Sequence, residues 1–234
     1  MNPEELYEKQ YGEKKLKDNP SLLFLRKIFK KSDLHREDLV LSMLKGGGKF
    51  LDVGCGSGSL AFKVRKMFNE VYGVDVSPSR IKEAQKAITD PNNVHFDIGN
   101  IEQGLNFSDK SFDTVTCMAV LEHIFDPYSV VSEINRVLKK DGILVIEVPN
   151  IAYIKHRIRL FFGKLPITGF PCNWKEIGWD GGHLHYFTKS TVCTLLKDSG
   201  FRILKVSGCG LFASLRNFWP SLLTGDLVIK AQKI

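Results

Sequence analysis

FLDVGCGSGSLA, at residues 50–61, is the stretch of sequence that decides the fold. It begins with an apolar run typical of a buried strand and ends with residues that suit the first turn of a helix. Between them come three glycines, Gly54, Gly56 and Gly58. Because glycine has no Cβ atom, backbone N–H groups at the helix N-terminus can face a ligand unobstructed. The segment therefore predicts a strand, a helix and, between them, a loop for a nucleotide-like ligand.

Strand-like apolar runs alternate with amphipathic helical runs after residue 46, which predicts a parallel sheet. The predicted helices begin near Ser59 and Ser79 and cover residues 127–138 and 189–199. We expect an α/β fold, a Rossmann-like doubly wound sheet of seven strands, mostly parallel with one antiparallel C-terminal edge strand. The predicted strands are residues 49–53, 70–76, 94–98, 112–118, 142–148, 201–207 and 227–233.

The chain is predicted to be a single domain with four segments. Residues 1–45 have apolar side chains at helical spacing and are predicted to form N-terminal helices. Residues 46–148 form the predicted ligand-binding core. Residues 149–188 are too long for a plain connection and are interpreted as a cap insertion over the active site. Residues 189–234 supply the last helix and two strands.

A dinucleotide is one alternative for the ligand, since a glycine loop with an acid about twenty residues on also fits NAD(P)-dependent oxidoreductases. However, Ser59 stands where a dinucleotide motif has its third glycine. Asp52 ends the first strand, where a carboxylate repels pyrophosphate and accepts hydrogen bonds from an ammonium group. Asp75 ends the second strand and can accept from both ribose hydroxyls. Its alternative role as a helix cap is weaker, because Ser77 is nearer the cap position.

Two motifs together resemble class I S-adenosylmethionine-dependent methyltransferases: LDVGCGSG at residues 51–58 and GVDVS at residues 73–77. FDTVTCMAVLEHI, at residues 112–124, is similar to the fourth-strand motif of the ubiquinone-biosynthesis O-methyltransferases and their relatives. The resemblance covers residues 46–207. It implies S-adenosylmethionine as the cofactor and methyl transfer to a small-molecule acceptor, preferably to a hydroxyl.

Carried over residue by residue, the resemblance implies ten cofactor contacts. Met118 would contribute its backbone, and Asn100 stands where relatives commonly have Asp. The amide oxygen of Asn100 can still accept from the adenine amino group. The ten residues are Asp52, Gly54, Cys55, Gly56, Gly58, Asp75, Val76, Asn100, Ile101 and Met118.

Methylation of a hydroxyl requires a base, for which histidine is the obvious candidate. His123 follows the cofactor-lining strand and is interpreted as either catalytic or structural. His183 and His185 lie in the predicted cap, where catalysis and loop ordering are both open; alternate residues of an extended segment share a face. Glu122 with His123 offers two metal ligands and no identifiable third, so no metal is predicted. A non-catalytic module that binds S-adenosylmethionine is a further alternative.

The composition is that of an ordinary globular protein, with 43% hydrophobic and 25% charged residues. No run approaches the roughly 20 apolar residues of a membrane span, and a cytoplasmic location is expected. The five cysteines lie far apart without a C-x-x-C pair, which indicates neither disulfides nor a zinc site. Oligomeric state cannot be predicted from the sequence.

The net charge of +7 admits an acidic partner, but the basic residues form no long run. Basic clusters at residues 27–36 and 155–164 are interpreted as solvated helix faces, and no nucleic acid is expected. Residues 153–162 are also amphipathic, and a second apolar stretch follows at residues 211–222. These stretches either pack on the sheet, line a pocket for a lipophilic or sugar acceptor, or make a peripheral contact with a membrane.

Overall fold

A seven-stranded sheet organises the protein, whose computed structural model describes residues 33–88, 93–169 and 182–234. The strands are β1 Lys49–Val53, β2 Glu70–Asp75, β3 Val94–Ile98, β4 Phe112–Met118, β5 Leu138–Pro149, β6 Phe201–Ser207 and β7 Asp226–Lys233. In spatial order they are β3-β2-β1-β4-β5-β7-β6. Strands β1 to β5 pair in parallel, and β7 is antiparallel to both of its neighbours.

The predicted Rossmann-like sheet of seven strands, mostly parallel with an antiparallel C-terminal strand, is confirmed. The antiparallel strand differs from the prediction in its position, because β7 lies between β5 and β6 instead of at the edge. The connection between β5 and β6 leaves a gap of one strand between them. The last strand, β7, then fills this gap and pairs with both. Strand β6 therefore forms the edge.

Eight helices accompany the sheet in the described part of the chain. One of them begins at the residue that the sequence favoured as its cap: Ser77 accepts a hydrogen bond from the Arg80 backbone N–H at 3.3 Å. Another begins with a capping box between Thr188 and Thr191. Ser77, not Asp75, therefore caps its helix. The helices are α1 Arg36–Met43, α2 Ser59–Val64, α3 Pro78–Lys86, α4 Pro127–Val137, α5 Ile154–Phe161, α6 Lys189–Asp198, α7 Ala213–Phe218 and α8 Pro220–Leu223.

The junction between α4 and β5 corrects the sequence prediction. Helix α4 ends at Val137 and β5 begins at Leu138, whereas the sequence predicted a helix to residue 138 and a strand from residue 142. Asp141 instead has φ of 60° within the strand, where the register with β4 shifts. The Asp-Gly pair thus forms a bulge inside β5.

The N-terminal segment and the predicted cap are described only in part. Helix α1 confirms the helical prediction for its residues, whereas Asp33–Leu34 is a short strand paired with Gly210–Leu211. The helical prediction for residues 1–32 and the cap residues 170–181 lie outside the described residues. Within the described ranges, no helix combines the length and the apolar character that crossing a membrane would require.

Helices cover both faces of the sheet, as a doubly wound fold requires. On one face α4 and α6 pack their buried aliphatic side chains against the sheet, and on the other α1, α2 and α3 do so. Each fully buried large aliphatic side chain stabilises the fold by about 1.5–3 kcal/mol. The parallel strands are thereby fixed, and their carboxyl ends meet at one end of the sheet.

Candidate active site

A pocket opens at the carboxyl ends of β1, β2 and β4. Its empty volume, counted together with the open solvent at its mouth, is about 690 Å³. The lining includes six residues predicted from the sequence: Gly54, Asp75, Val76, Asn100, Ile101 and His123. The other lining residues are Val53, Val74, Gly99, Glu102, Ala119, Val120 and Ile124.

The glycine loop forms one wall of this pocket, and two of its glycines are required by geometry. Gly54 has φ of 73°, and a Cβ atom there would lie 2.2 Å from Cγ2 of Val120. Gly58 has φ of 83°, and a Cβ atom there would lie 2.6 Å from Cζ of Phe96. Gly54 thus keeps the wall open, whereas Gly58 allows the turn into α2 to pack on β3.

Asp75 fixes the loop from the end of β2. Its side chain is buried; one carboxylate oxygen accepts the Gly56 N–H at 2.8 Å and the other accepts the Ser77 N–H at 2.9 Å. Each carboxylate oxygen can accept more than one hydrogen bond, and Asp75 lines the pocket. Asp75 is therefore a pre-oriented acceptor for hydroxyl groups.

Asp52 lies at the end of β1, directly before the two residues of that segment that line the pocket. It is 3% exposed, and it accepts a hydrogen bond from Oγ1 of Thr116 at 2.7 Å. Burial raises the pKa of Asp52 to about 7, although the Thr116 hydrogen bond opposes this shift. A cationic ligand nearby would favour the ionised form.

The turn after β3 forms the opposite wall. Asn100 accepts the Glu102 backbone N–H at 3.0 Å and begins the short 3₁₀ helix Ile101–Gln103. Ile101 is 7% exposed and presents an apolar surface. The predicted adenine-binding turn therefore faces the glycine loop across the pocket.

Cys55 and Met118 contribute differently from the other predicted contacts. The Cys55 side chain is buried in the core and does not line the pocket. Its backbone N–H donates to the Val74 carbonyl oxygen at 3.1 Å. Met118 ends β4 and packs on the core, while Ala119 and Val120 line the pocket. Sequence reasoning missed these two residues, although they directly follow the predicted contact.

His123 and His183 come together beside the pocket. Their ring centroids are 4.8 Å apart in an edge-to-face arrangement. Nδ1 of His123 lies 2.6 Å from the Gly182 carbonyl oxygen, which can only accept. Nδ1 therefore donates, and Nε2 carries the lone pair in the neutral ring. Nδ1 of His183 lies 2.7 Å from Oγ1 of Thr168.

His185 lies apart from this pair and orders the chain. Its Nε2 lies 3.1 Å from the Phe125 carbonyl oxygen, and its backbone N–H donates to the Glu122 carbonyl oxygen at 3.1 Å. It is not among the residues that line the pocket. These contacts match the loop-ordering interpretation of His185.

Glu122 is a buried acid next to the two histidines. It is 1% exposed, its Oε2 has no hydrogen-bond partner, and burial raises its pKa to about 8. One ligand atom from each of Glu122, His123 and His183 lies within 4.8 Å of the others. These residue types can hold a divalent metal ion, and His183 is the third ligand that could not be identified from the sequence. The absence of a metal stays a prediction.

Glu147 is a second buried acid that sequence reasoning missed. It lies in β5 opposite Met118, and its carboxylate is 3.0 Å from the Arg36 guanidinium. Burial raises its pKa to about 8, and the neighbouring Arg36 opposes this shift. Nothing in the sequence marks the pair, since its members are 111 residues apart.

The residues of the pocket fit S-adenosylmethionine better than a dinucleotide. Asp75 offers acceptors for ribose, and Ile101 and Val120 offer apolar walls for a flat ring. No lysine or arginine occurs among the described residues that line the pocket. The Gly56 N–H, which could otherwise bind a phosphate, donates to Asp75. A pyrophosphate would thus meet a carboxylate and no cation.

Comparison with known proteins agrees with this geometry. A family model described as a methyltransferase domain matches residues 44–164, just over half of the chain. The ubiquinone biosynthesis O-methyltransferase of Haemophilus ducreyi is 37% identical over 109 residues, which are 44% of this chain and 46% of that protein. The chain therefore matches less than half the length of this relative.

Solved structures support the same fold. A SAM-dependent methyltransferase from Methanosarcina mazei is 26% identical with a TM-score of 0.62, covering 86% of this chain and 99% of that one. One from Mesorhizobium loti has a TM-score of 0.65 at 18% identity, covering 84% and 97%. The chain belongs to the methyltransferase domain family and has the Rossmann-like fold of S-adenosylmethionine-dependent methyltransferases, whose cofactor is S-adenosylmethionine.

Proposed function

We propose that this protein transfers a methyl group from S-adenosylmethionine to a hydroxyl of a small-molecule acceptor. The observation that carries this proposal is the placement of His123: it lines the pocket and donates from Nδ1 to the Gly182 carbonyl oxygen. A base in this tautomer can accept a proton at Nε2. The name of the Haemophilus ducreyi relative, an O-methyltransferase, supports a hydroxyl acceptor.

The cofactor would be held by the three chain segments around the pocket. Asp75 would accept from the ribose hydroxyls, and Asn100 with Ile101 would hold the adenine. Asp52 would face the methionine ammonium group, where ionisation of its carboxyl is favoured by the opposite charge. The remaining predicted contacts, at Gly54, Cys55, Gly56, Gly58, Val76 and Met118, would act mainly through their backbone.

The side chains of this protein would remove the proton from the acceptor hydroxyl. The bound cofactor supplies an electrophilic methyl group, and the acceptor oxygen must lie in line with it at about 3–3.5 Å. His123 would accept the hydroxyl proton at Nε2 as the new O–C bond forms. The imidazolium ion so formed would favour ionisation of the neighbouring Glu122 carboxyl, whose negative charge would in turn stabilise it. His183 would hold the His123 ring in place through their contact.

The acceptor class is proposed from the relatives and from the apolar stretches near the pocket. Quinone precursors come first, because the curated relative is named for ubiquinone biosynthesis. Deoxysugars come second, since methylation of a sugar hydroxyl also requires a base to remove the hydroxyl proton. Release of S-adenosylhomocysteine with a panel of both classes identifies the acceptor. We propose a cytoplasmic location for the reaction and no nucleic-acid partner.

Single-turnover kinetics of histidine variants tests the mechanism. We expect His123→Ala to lower the rate by about 10²–10⁴-fold while cofactor affinity stays within about threefold. His183→Ala should have a smaller effect. His95→Ala is the matched control, because His95 is exposed on β3 and stacks on Tyr72. Unchanged turnover in both His123→Ala and His183→Ala would remove the base from the proposal.

A further inference from the structure

Two exposed apolar patches lie near each other at the end of the sheet that carries the pocket. Helix α5 buries none of its residues, and Phe161 at its end is 85% exposed. Phe218, at the end of α7, is 86% exposed. The residue before α5 contacts α7: the Arg216 guanidinium lies 5.8 Å from the centre of the Tyr153 ring. Both stretches were candidates for packing on the sheet, but Phe161 and Phe218 remain exposed, although Leu211 is buried.

A positively charged groove is lined by residues of both elements, Arg157 of α5 and Asn217 of α7. We call it the basic groove; it contains Arg157 of α5, Lys189 and Lys197 of α6, and Lys205 of β6. No acidic residue occurs among the described residues that line it. The charge of the groove is therefore not neutralised within its own walls.

The location of this face follows from the sheet. Helix α5 comes shortly after β5, and α8 comes shortly before β7. Because β7 is antiparallel and begins opposite Pro149, both elements lie at the carboxyl end of β5. The hydrogen bonds from Nδ2 of Asn150 to the backbone of Ser221 and Thr224 hold them there.

The chemistry of the face selects its partner. Exposed apolar side chains are common when they occur singly, but here they stand next to an uncompensated basic groove. A lipid bilayer accepts aromatic and leucine side chains at its interface, and anionic headgroups attract lysine and arginine. A second copy of the chain would place the same cations against one another. Nucleic acid would leave exposed aliphatic residues such as Leu160 and Leu215 without a partner.

We propose that this face, the basic groove with the two apolar patches, docks on a bilayer that contains anionic phospholipid. The contact lies at the same end of the sheet as the pocket. A lipophilic molecule held in the bilayer would therefore be presented at that end. The proposal stands whether or not the acceptor is a hydroxyl compound.

Vesicle sedimentation of the full chain tests the proposal. Vesicles contain phosphatidylcholine alone or with about 30 mol% phosphatidylglycerol. The wild type should sediment with the anionic vesicles at low salt, and binding should fall by about tenfold near 0.5 M salt because the charges are screened.

Matched variants separate the groove and the patches from general charge and apolarity. Phe161→Ser should lower partitioning about fivefold to tenfold, whereas Ile234→Ser, at a 76% exposed residue at the opposite end of the sheet, should not. The double variant Lys189→Gln and Lys197→Gln should lower partitioning about tenfold. Its control, Lys66→Gln with Lys140→Gln, removes the same charge from exposed residues at the opposite end of the sheet.

Two outcomes of the vesicle experiment would overturn the proposal. One is wild-type protein that stays in solution with anionic vesicles at low salt. The other is equal loss of binding in the test and control pairs, which would indicate attraction by net charge alone. All variants should keep wild-type affinity for S-adenosylhomocysteine, so that failure of membrane docking is distinguished from failure of the cofactor site. Dimerisation through this face, seen by light scattering and lost in Phe161→Ser, would also contradict the proposal.

Discussion

Replacing Asp75 by asparagine is the sharpest single change for the cofactor site. Asparagine has nearly the same shape and keeps one oxygen to accept the Ser77 or the Gly56 N–H. It also places an NH₂ donor where the ribose hydroxyls would donate. If two hydrogen bonds to a charged acceptor are lost, at about 1.5 kcal/mol each, the loss is about 3 kcal/mol. At 1.4 kcal/mol per tenfold, affinity should fall by roughly 100-fold.

Isothermal titration with S-adenosylhomocysteine measures this loss, with thermal denaturation as the check on folding. Asp97→Asn is the matched control: Asp97 lies on the neighbouring strand β3, paired in register with Val74, and it is exposed and outside the pocket lining. Its affinity should stay within about twofold of wild type. A folded Asp75→Asn protein whose affinity changed by less than about threefold would refute the ribose role of Asp75.

Three further predictions follow from the loop and from Glu122. Gly58→Ala should lower the free energy of unfolding by more than Gly47→Ala does, whose backbone strain costs about 1 kcal/mol. The two glycines have similar φ values, but only Gly58 has a neighbour in the way of a Cβ atom. Equal losses of unfolding free energy in urea denaturation would contradict the clash with Phe96. Burial raises the pKa of Glu122 from an ordinary 4.5 to about 8. The folded state therefore binds this proton more tightly than the unfolded state does. The stability that proton binding contributes is complete below about pH 4.5 and is lost as the pH rises to about 8. Glu122→Gln should flatten the decline of stability between about pH 5 and 8, and parallel curves would show that Glu122 does not titrate in this range. A chelator should leave single-turnover rates unchanged, as expected for a site without a metal; loss of rate restored by a divalent cation would assign one to Glu122 and its two histidines.

The fold could be predicted because local signals agree with tertiary packing. The glycine loop predicted the first strand and the start of α2 at Ser59, and apolar runs located β2, β3 and β4 to within one residue. The α4–β5 junction could not be predicted in this way. An Asp-Gly pair usually marks a turn, and here it forms a bulge within a strand, because pairing with β4 continues on both sides of it.

The position of β7 and part of the site depend on contacts between distant segments. The hydrophobic pattern of β7 suits a strand at the edge of the sheet as well as a strand one position inside. The pattern alone therefore does not determine the position of β7. His183 reaches His123 from 60 residues away through the loop at Gly182, and Glu147 meets Arg36 across 111 residues. The pocket residues that sequence reasoning did identify lie at strand ends, where the order of the strands brings them together.

Titration of the folded, full-length chain with S-adenosylhomocysteine and, separately, with NADH tests most directly what the glycine loop binds. Saturable binding of one S-adenosylhomocysteine per chain, without a detectable signal from NADH, is the predicted result. Binding of NADH, or no binding of S-adenosylhomocysteine by protein that melts cooperatively, would contradict the account.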